Sequence, residues 1–327
     1  MTSGPTLESI FLAQRRLDGL IHRTPLVRSQ SISSMLGREV RFKAENLQIT
    51  GSFKIRGALN KISELAQSNT PGVVTASSGN HGQAVAWAAR HFGLPARVVV
   101  PVTAPAIKVE AARSYGAIVE SCGSRSRERL ERAQRIAQET GYAFVPPYDD
   151  PAVMSGQGTL GLEILSDWPQ VDTVVVPIGG GGLISGIATA IKSCRPEVRI
   201  IGVEPEGAAK ATLSRQAGRR VELASTASIA DGLITLALGH LTYPIIERYV
   251  DDLVTVSETA IQESLWLLMA RLKMVVEPSG AAAAACVLTP GPHQALLGQA
   301  VVAVLSGGNV DPAQVPATPP PEFKIPH

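Results

Sequence analysis

Short runs of apolar, mostly β-branched residues alternate along this chain with longer segments of helical periodicity. The apolar runs fall into a first series at residues 73–75, 97–100 and 118–120, and a second at 174–176, 199–203, 253–256 and 300–305. Buried strands that alternate with helices form parallel βαβ units. The pattern therefore predicts an α/β protein with two doubly wound, open parallel-sheet lobes.

The residues before the first series predict three further elements. Helical periodicity covers residues 6–21 and 51–65. Between them Val40, Phe42 and Ala44 alternate with polar residues, which is typical of a half-buried strand. In open α/β sheets ligands bind beyond the carboxyl ends of the strands, so the loops that follow strands are the places to look for chemistry.

Two long uncharged stretches, residues 173–191 and 280–310, approach the roughly 20 apolar residues that cross a bilayer. The first contains Pro177 and a run of glycines, and the second contains Pro290 and Pro292. These breakers divide each stretch into short buried elements joined by turns, so no membrane span is expected. Residues 313–327 are Pro-rich and lack periodicity, which predicts a surface tail.

Composition excludes some classes of partner and compartment. The 327 residues include 30 Lys and Arg against 28 Asp and Glu, a net charge of +2, and this surplus is too small to favour nucleic acid. Cys122, Cys194 and Cys286 show no CxxC spacing, which favours a reducing cytoplasm. Charges at Glu8 and Arg15 interrupt the N-terminal segment, so it does not resemble a signal peptide.

The clearest chemical signal is a glycine loop between a strand and a helix. It consists of Gly179, Gly180, Gly181 and Gly182. Glycines let backbone amides converge on a ligand, and a helix N-terminus adds partial positive charge, so the loop predicts a phosphate site without a cationic side chain.

The loop does not by itself decide which phosphate compound binds. A dinucleotide fingerprint requires G-x-G-x-x-G, but its sixth position is Ile184 or Ser185 in the two possible registers. Glu204 ends the following strand, where an acid that binds ribose is expected. A nicotinamide-dependent dehydrogenase therefore stays as the alternative from another class.

Three more segments place reactive or polar groups at the ends of elements. Lys54 opens a helix just after Gly51, where the helix N-terminus should lower the pKa of its amine and favour Schiff-base chemistry. Residues 75–83 bring hydroxyls, an amide and free backbone amides to a helix start, which suits a carboxylate. Ser306 follows the last apolar strand, where it is either a turn residue or a site residue.

In combination these segments resemble the fold-type II pyridoxal-phosphate enzymes, and most closely the threonine/serine dehydratase and serine racemase family. The resemblance runs from about residue 20 to 311, with the motifs in family order. Those motifs are Ser52-Phe53-Lys54-x-Arg56-Gly57, Ser77-Ser78-Gly79-Asn80-His81-Gly82-Gln83, Gly179 to Gly182, Glu277-Pro278-Ser279-Gly280 and Ser306-Gly307-Gly308-Asn309.

The resemblance implies pyridoxal 5'-phosphate as cofactor and a role for each of these residues. Lys54 forms the Schiff base, Phe53 packs beside the cofactor ring and Asn80 bonds its 3-hydroxyl, while the four glycine amides hold the phosphate and Ser306 faces the pyridine nitrogen. Ser77, Ser78, Asn80 and His81 receive the substrate carboxylate. The family also implies a large domain of residues 1–69 and 151–312, a small domain of residues 70–150 and a homodimer.

The implied reaction is removal of ammonia from a small β-hydroxy amino acid of the threonine or serine type, giving a 2-oxo acid. A neutral Ser306 hydroxyl leaves the ring a weaker electron sink, so loss of the α-proton to Lys54 is followed promptly by loss of the β-hydroxyl. Ser78 is placed to act as acid or base on the opposite face. Racemisation of an amino acid therefore remains an alternative.

Departures from the family pattern bear on the cation and on the substrate. Metal-activated members have an acid six residues after the position of Glu204, whereas this chain has Lys210, and an ammonium cannot ligate a metal. We therefore expect Lys210 to pair with Glu204 in place of a cation. No regulatory domain is expected after Val310, so isoleucine feedback is not expected.

Two features keep the substrate open. Residues 125–132 contain four arginines, Arg125, Arg127, Arg129 and Arg132. Such a run is usually a solvated helix face. One of these arginines could instead pair with a second substrate carboxylate, which would favour hydroxyaspartate. The sequence of the loop at residues 231–236 differs from the one that is usual in threonine enzymes. A hydroxyectoine-utilisation dehydratase is a further alternative.

Overall fold

A computed structural model describes residues 4–77, 79–102, 104, 106–123 and 126–311. Ser78, Arg125 and the predicted tail at residues 313–327 lie outside the described residues. The helices are α1 Leu7–Leu17, α2 Gln30–Leu36, α3 Lys54–Gln67, α4 Asn80–His91, α5 Ala106–Ser114, α6 Ser126–Thr140, α7 Pro151–Asp167, α8 Gly182–Cys194, α9 Lys210–Ala217, α10 Thr242–Tyr249, α11 Glu258–Leu267 and α12 Pro278–Leu288. The strands are β1 Leu26–Arg28, β2 Glu39–Ala44, β3 Val73–Ala76, β4 Ala96–Val100, β5 Ile118–Ser121, β6 Ala143–Phe144, β7 Thr173–Pro177, β8 Arg199–Pro205, β9 Asp252–Val256 and β10 Ala300–Leu305.

Within the described residues these strands form two sheets. One has six strands in the order β1-β2-β10-β7-β8-β9, and the other has four in the order β5-β4-β3-β6. All pairings are parallel except that of β1 with β2. The predicted α/β class with parallel sheets is confirmed, whereas the exact domain boundaries stay a prediction.

Both faces of the six-stranded sheet are covered by helices. Val175 and Ala303 pack in the cluster that contains the alanine-rich helix α12, while Val174 and Val302 pack on the other side with residues of α7 and α8. Successive residues of a strand point to opposite faces, so uninterrupted apolar runs are what a doubly covered sheet requires. None of the described helices is long and apolar enough to cross a membrane.

The structure corrects two details of the sequence prediction. The first helix ends at Leu17 rather than at residue 21, because the chain turns through Gly19 at a φ of 71°. The short strands β1 and β6 lie outside the apolar runs and were not predicted. Three residues of β1 and two of β6 are too few to show an alternating pattern.

Candidate active site

Lys54 is the first residue of α3, and the end of β10 fixes this helix start. Ser52 bridges to Gly307, and the amide of Phe53 donates to the carbonyl of Ser306 at 3.1 Å. The Lys54 Nζ donates to the carbonyl oxygen of Pro147 at 2.7 Å and lies 5.0 Å from the centre of the Phe53 ring. The predicted neighbours Lys54, Phe53 and Ser306 therefore lie together.

Burial lowers the pKa of Lys54 to about 8, while the carboxylate of Glu277 opposes part of this shift. The direction agrees with the sequence prediction, but the cause differs. The prediction relied on the helix N-terminus, whereas desolvation of the ammonium is the largest contribution. A lysine with a lowered pKa presents a larger fraction of nucleophilic amine at neutral pH.

The glycine loop forms a concave cradle at the end of β7. Gly181 has a φ of 95°, a region that favours glycine, and a Cβ there would lie 2.8 Å from Thr242. A Cβ on Gly182 would lie 2.8 Å from the Cβ of Tyr148. In the described part of the chain, the amides of residues 179–182 donate to no protein oxygen. Because these amides are unsatisfied at a helix N-terminus, they suit an anion such as phosphate.

The segment of residues 147–150 connects the lysine to this cradle. Pro147 accepts the Lys54 bond, and the next residue, Tyr148, packs against Gly180 and Gly182. Burial raises the pKa of the Tyr148 phenol, so this group is neutral at physiological pH. The sequence predicts a domain boundary at this segment and no site residue in it. The bond of Lys54 with Pro147 joins residues 93 positions apart, and Tyr148 lies 32 positions before Gly180, so no local pattern reveals these contacts.

Buried ion pairs tie α3 to its neighbours just after Lys54. The fully buried Arg56 donates to Glu45 on one side and to both carboxylate oxygens of Glu163 in α7, at 2.7 and 2.9 Å. Lys43 in β2 bonds Glu163 as well, at 2.7 Å. Two-pronged guanidinium bonds fix orientation as well as distance, so this network holds the helix that carries the lysine.

The polar loop before α4 is partly described. Ser77 Oγ accepts from the amide of Gly79 at 3.3 Å, and Ser78 lies outside the described residues. Burial and the nearby Lys54 charge lower the pKa of His81 to about 3, so its ring is neutral and Nε2 donates to the carbonyl of Val145 at 3.0 Å. The His81 side chain is thus engaged away from an anion, and its amide in the first turn of α4 is the group left for a substrate carboxylate.

Asn80 joins the start of α4 to two residues near the end of β10. Its Nδ2 donates to Glu277, and its Oδ1 accepts from Asn309 Nδ2 at 2.8 Å. Asn309 also donates to the carbonyl of Thr50 at 2.7 Å. The Glu277 carboxylate is buried and lies in the site. Glu277 belongs to one of the family motifs, but no role for it could be predicted from the sequence because its partner Asn80 is 197 positions away.

Ser306 is 3% exposed at the end of β10, and its Oγ donates to the carbonyl of Ser279 at 3.4 Å. The hydroxyl of Ser279 accepts from the amide of Gly232 at 2.8 Å. Gly232 lies beside Gly179, whose Cβ would come within 2.8 Å of the Gly232 carbonyl oxygen. The turn at residues 231–233 therefore links the two ends of the site.

Lys210 and Glu204 form an ion pair in which both side chains are fully buried. Lys210 Nζ lies 3.1 Å from Glu204 Oε1, and it also donates to the carbonyls of Ile178, Ala208 and Leu233 at 3.0 to 3.1 Å. The Glu204 oxygens accept amide bonds from residues 211 and 212 as well. A carboxylate enclosed in this way is not available to a ribose, which argues against the dinucleotide alternative.

Two of the arginines considered for a second substrate carboxylate pair with nearby acidic residues. Arg127 is 88% exposed and pairs with Glu131 along α6. Arg132 bonds Glu120 of β5 through two nitrogens. Arg125 lies outside the described residues. Arg127 thus lies on a solvated helix face, whereas Arg129 is partly buried and burial lowers the pKa of its guanidinium. A role of this run in binding a second carboxylate stays a prediction.

Comparison with known proteins agrees with this geometry. A family model described as pyridoxal-phosphate dependent enzyme matches residues 17–307. This chain belongs to that pyridoxal-phosphate-dependent family. It is 46% identical to the L-threonine ammonia-lyase of Thermotoga maritima over 94% of this chain and 76% of the relative, and 43% identical to the catabolic L-threonine dehydratase of Escherichia coli K12 over 94% of each. The solved structure of maize serine racemase superposes with a TM-score of 0.92 at 41% identity and covers 95% of this chain and 96% of that one.

The residues present fit the family's cofactor. The cradle offers unsatisfied amides to a phosphate, and the half-buried Lys54 has an amine of lowered pKa that is suited to condense with an aldehyde. Ser306 supplies a neutral hydroxyl nearby. The resemblance to the threonine/serine dehydratase and serine racemase family is thereby confirmed, while the individual role of each residue stays a prediction.

Proposed function

We propose that this protein is a pyridoxal-phosphate-dependent ammonia-lyase that converts L-threonine or L-serine to a 2-oxo acid and ammonia. The observation that carries the proposal is that Lys54 and the glycine cradle both contact the short segment of residues 147 and 148. Relatives 43 to 46% identical over 94% of the chain are named for this reaction on threonine.

Lys54 moves the proton in this proposal. With a pKa of about 8, roughly a tenth of its amine is neutral at pH 7, against well under a thousandth for a solvated lysine. When bound, pyridoxal phosphate supplies an electron-accepting ring conjugated to the substrate nitrogen, which stabilises negative charge at the α-carbon. The Lys54 Nζ takes the α-proton, the Cβ–O bond breaks, and the hydroxyl leaves as water with one added proton. The released enamine tautomerises, and water then replaces its nitrogen as ammonia.

The other residues bind and orient in this proposal. The amides of Gly179, Gly180, Gly181 and Gly182 hold the phosphate, Phe53 packs beside the ring and Asn80 bonds its 3-hydroxyl, and Ser306 faces the ring nitrogen. Ser77, Ser78, Asn80 and the amide of His81 bind the substrate carboxylate. The neutral His81 ring supports this arrangement, since a cation there would repel the ammonium of Lys54.

Lys210 takes the place of a free cation in this proposal. Its ammonium already meets four oxygens from separate segments, three of them backbone carbonyls. Activity is therefore expected to survive chelators.

We propose as well that the protein is a cytoplasmic homodimer. Size-exclusion chromatography with light scattering tests the homodimer.

The test is a substrate panel in which 2-oxo acid and ammonia are measured together. L-threonine and L-serine are expected to give both products in equal amounts, and Lys54→Ala is expected to give neither. Lys61→Ala is the matched control, because Lys61 lies two turns along the same helix and its amine is held in a half-buried ion pair with Asp150. Activity on neither amino acid, with both hydroxyaspartates or hydroxyectoine-derived amino acids turned over instead, would assign the substrate to those alternatives.

Racemisation is the second candidate function, favoured by the likeness to maize serine racemase. It requires an acid on the face of the substrate opposite Lys54, the role predicted for Ser78. Chiral chromatography of the L-serine reaction separates the two activities. D-serine that forms in wild type but not in Ser78→Ala would support racemisation, and its absence would leave elimination as the activity.

A further inference from the structure

The carbonyl of Gly180 is held from outside the cradle by the side chain of Thr242. The Thr242 hydroxyl donates to this oxygen at 2.7 Å and accepts from the amide of Gly239 at 2.8 Å. The Gly239 amide also reaches the Gly180 oxygen, at 3.2 Å. Thr242 is fully buried at the first position of α10. The hydroxyl also lies 3.5 Å from the carbonyl of Gly239, so the bond to Gly180 is the shorter of its two donor contacts.

This bond fixes the direction of an amide inside the cradle. In a trans peptide the N–H of one residue points opposite to the carbonyl of the residue before it, and the described chain contains no cis peptide. Because the Gly180 carbonyl points out toward α10, the Gly181 amide points into the cradle. That amide donates to no oxygen of the described residues.

A second carbonyl of the loop is held in the same way. Lys210 donates to the carbonyl of Ile178 at 3.1 Å. Because the peptide is trans, the amide of Gly179 points away from Lys210. Two side chains on different helices thus hold alternate peptide planes of one loop. A turn that only connects β7 to α8 does not require such bonds.

The position of Thr242 is itself fixed by the segment next to Lys54. Asp149 accepts the amides of Leu241 and Thr242, at 2.9 and 3.3 Å, and so caps the start of α10. The preceding residue, Tyr148, packs against Gly180. The hydroxyl is therefore placed relative to both the lysine and the loop.

We propose that Thr242 is a positioning residue for the phosphate site: it presets the peptide plane between Gly180 and Gly181, so that the Gly181 amide faces the anion before the anion arrives. The inference rests on the proposed function, in which the cofactor phosphate occupies the cradle. Preorganised donors bind better because no reorganisation is needed on binding.

The experiment distinguishes the contribution of the phosphate to binding affinity from that of the rest of the cofactor. The dissociation constants of apoenzyme for pyridoxal 5'-phosphate and for pyridoxal are measured in wild type, Thr242→Val and Thr242→Ser. Valine keeps the shape and removes the hydroxyl. Thr189→Val is the matched control, since Thr189 is another buried threonine whose hydroxyl donates to a helix carbonyl, that of Ser185, at 2.8 Å.

Thr242→Val is expected to bind pyridoxal 5'-phosphate about tenfold more weakly, because the Gly180 carbonyl loses its shorter hydrogen bond and keeps only the 3.2 Å bond from the Gly239 amide. Its affinity for pyridoxal should stay within about twofold of wild type, since pyridoxal makes no phosphate contact. Thr242→Ser and Thr189→Val should behave as wild type with both compounds. Thr242→Ala removes the same hydroxyl and gives the same comparison if the valine variant does not fold.

Two results would overturn the inference. Equal weakening of both compounds would assign Thr242 to the stability of the whole site, and unchanged affinity for pyridoxal 5'-phosphate would show that its hydroxyl does not set the loop. A different result bears on the proposed function: wild type that binds pyridoxal as tightly as its phosphate would show that the cradle holds no phosphate, and both proposals would fall.

Discussion

Replacing Glu277 with glutamine should make Lys54 more reactive at neutral pH. Glu277 is buried, and its carboxylate raises the pKa of Lys54 against the lowering that burial causes. Glutamine has the same shape and keeps an oxygen that accepts from Asn80. The substitution therefore removes a charge while it retains the contact.

The size of the effect follows from the pKa of about 8 in wild type. Loss of a nearby opposite charge typically changes a pKa by about one unit or more, so Lys54 in Glu277→Gln should titrate near or below about pH 7. At pH 7 the neutral fraction of the amine would rise from roughly a tenth to roughly a half. The rate of aldehyde capture at pH 7 should therefore increase, because only the deprotonated form of the lysine attacks an aldehyde.

The assay is the rate at which apoenzyme captures pyridoxal, followed by absorbance between pH 6 and pH 10. We expect wild type to show a midpoint near pH 8 and Glu277→Gln to react about fivefold faster at pH 7. The two rates should converge above pH 9, where the amine is neutral in both. Glu131→Gln is the control, since its side chain is 56% exposed on α6.

A wild-type midpoint near pH 10 would show that Lys54 is solvated and would refute the account of its burial. A midpoint that is unchanged or raised in Glu277→Gln would show that the carboxylate does not act on the amine. The Glu131→Gln profile should overlay wild type, and a shift there would mean that the assay reports overall charge.

Two further predictions concern the supports of the site. Lys210→Met should destabilise the protein by about 3 to 5 kcal/mol in chemical denaturation, because it leaves Glu204 buried without its cation. Wild-type activity should be unaffected by EDTA. A strict Mg²⁺ requirement would contradict the role given to Lys210. Gly181→Ala should weaken binding of pyridoxal 5'-phosphate by tenfold or more, since its φ of 95° and its contact with Thr242 both exclude a methyl group. Gly218→Ala shares a positive φ, 62°, but has open space around it, so it should cost some stability and leave cofactor affinity intact.

Local order along the chain was sufficient to predict most of the fold. The apolar runs predicted β3, β4, β5, β7, β8, β9 and β10. The central strands β7 and β10 are continuously apolar because both of their faces are buried. The glycine loop and the start of α3 at Lys54 were also predicted, since strand, loop and helix follow one another directly. The pairing of Lys210 with Glu204 spans only six residues across one turn.

Contacts between distant segments could not be predicted from the sequence. The bond of Asn80 with Glu277, the packing of Tyr148 on the glycines and the bond of Thr242 with Gly180 join residues at least 32 positions apart, and the Thr242 bond spans 62. Each depends on how the two sheets and their helices pack together. The cause of the Lys54 pKa was missed for the same reason, because burial by distant segments outweighs the helix terminus that the local sequence shows.

The most direct test of the central claim is to find which residue the cofactor modifies. The protein is incubated with pyridoxal 5'-phosphate, reduced with borohydride and digested, and the labelled peptide is identified by mass spectrometry. We expect one labelled site, at Lys54, with the label lost in Lys54→Arg and retained in Lys61→Ala. A label that is absent from Lys54 in the folded wild-type protein, or that persists elsewhere at equal yield in Lys54→Arg, would contradict the account.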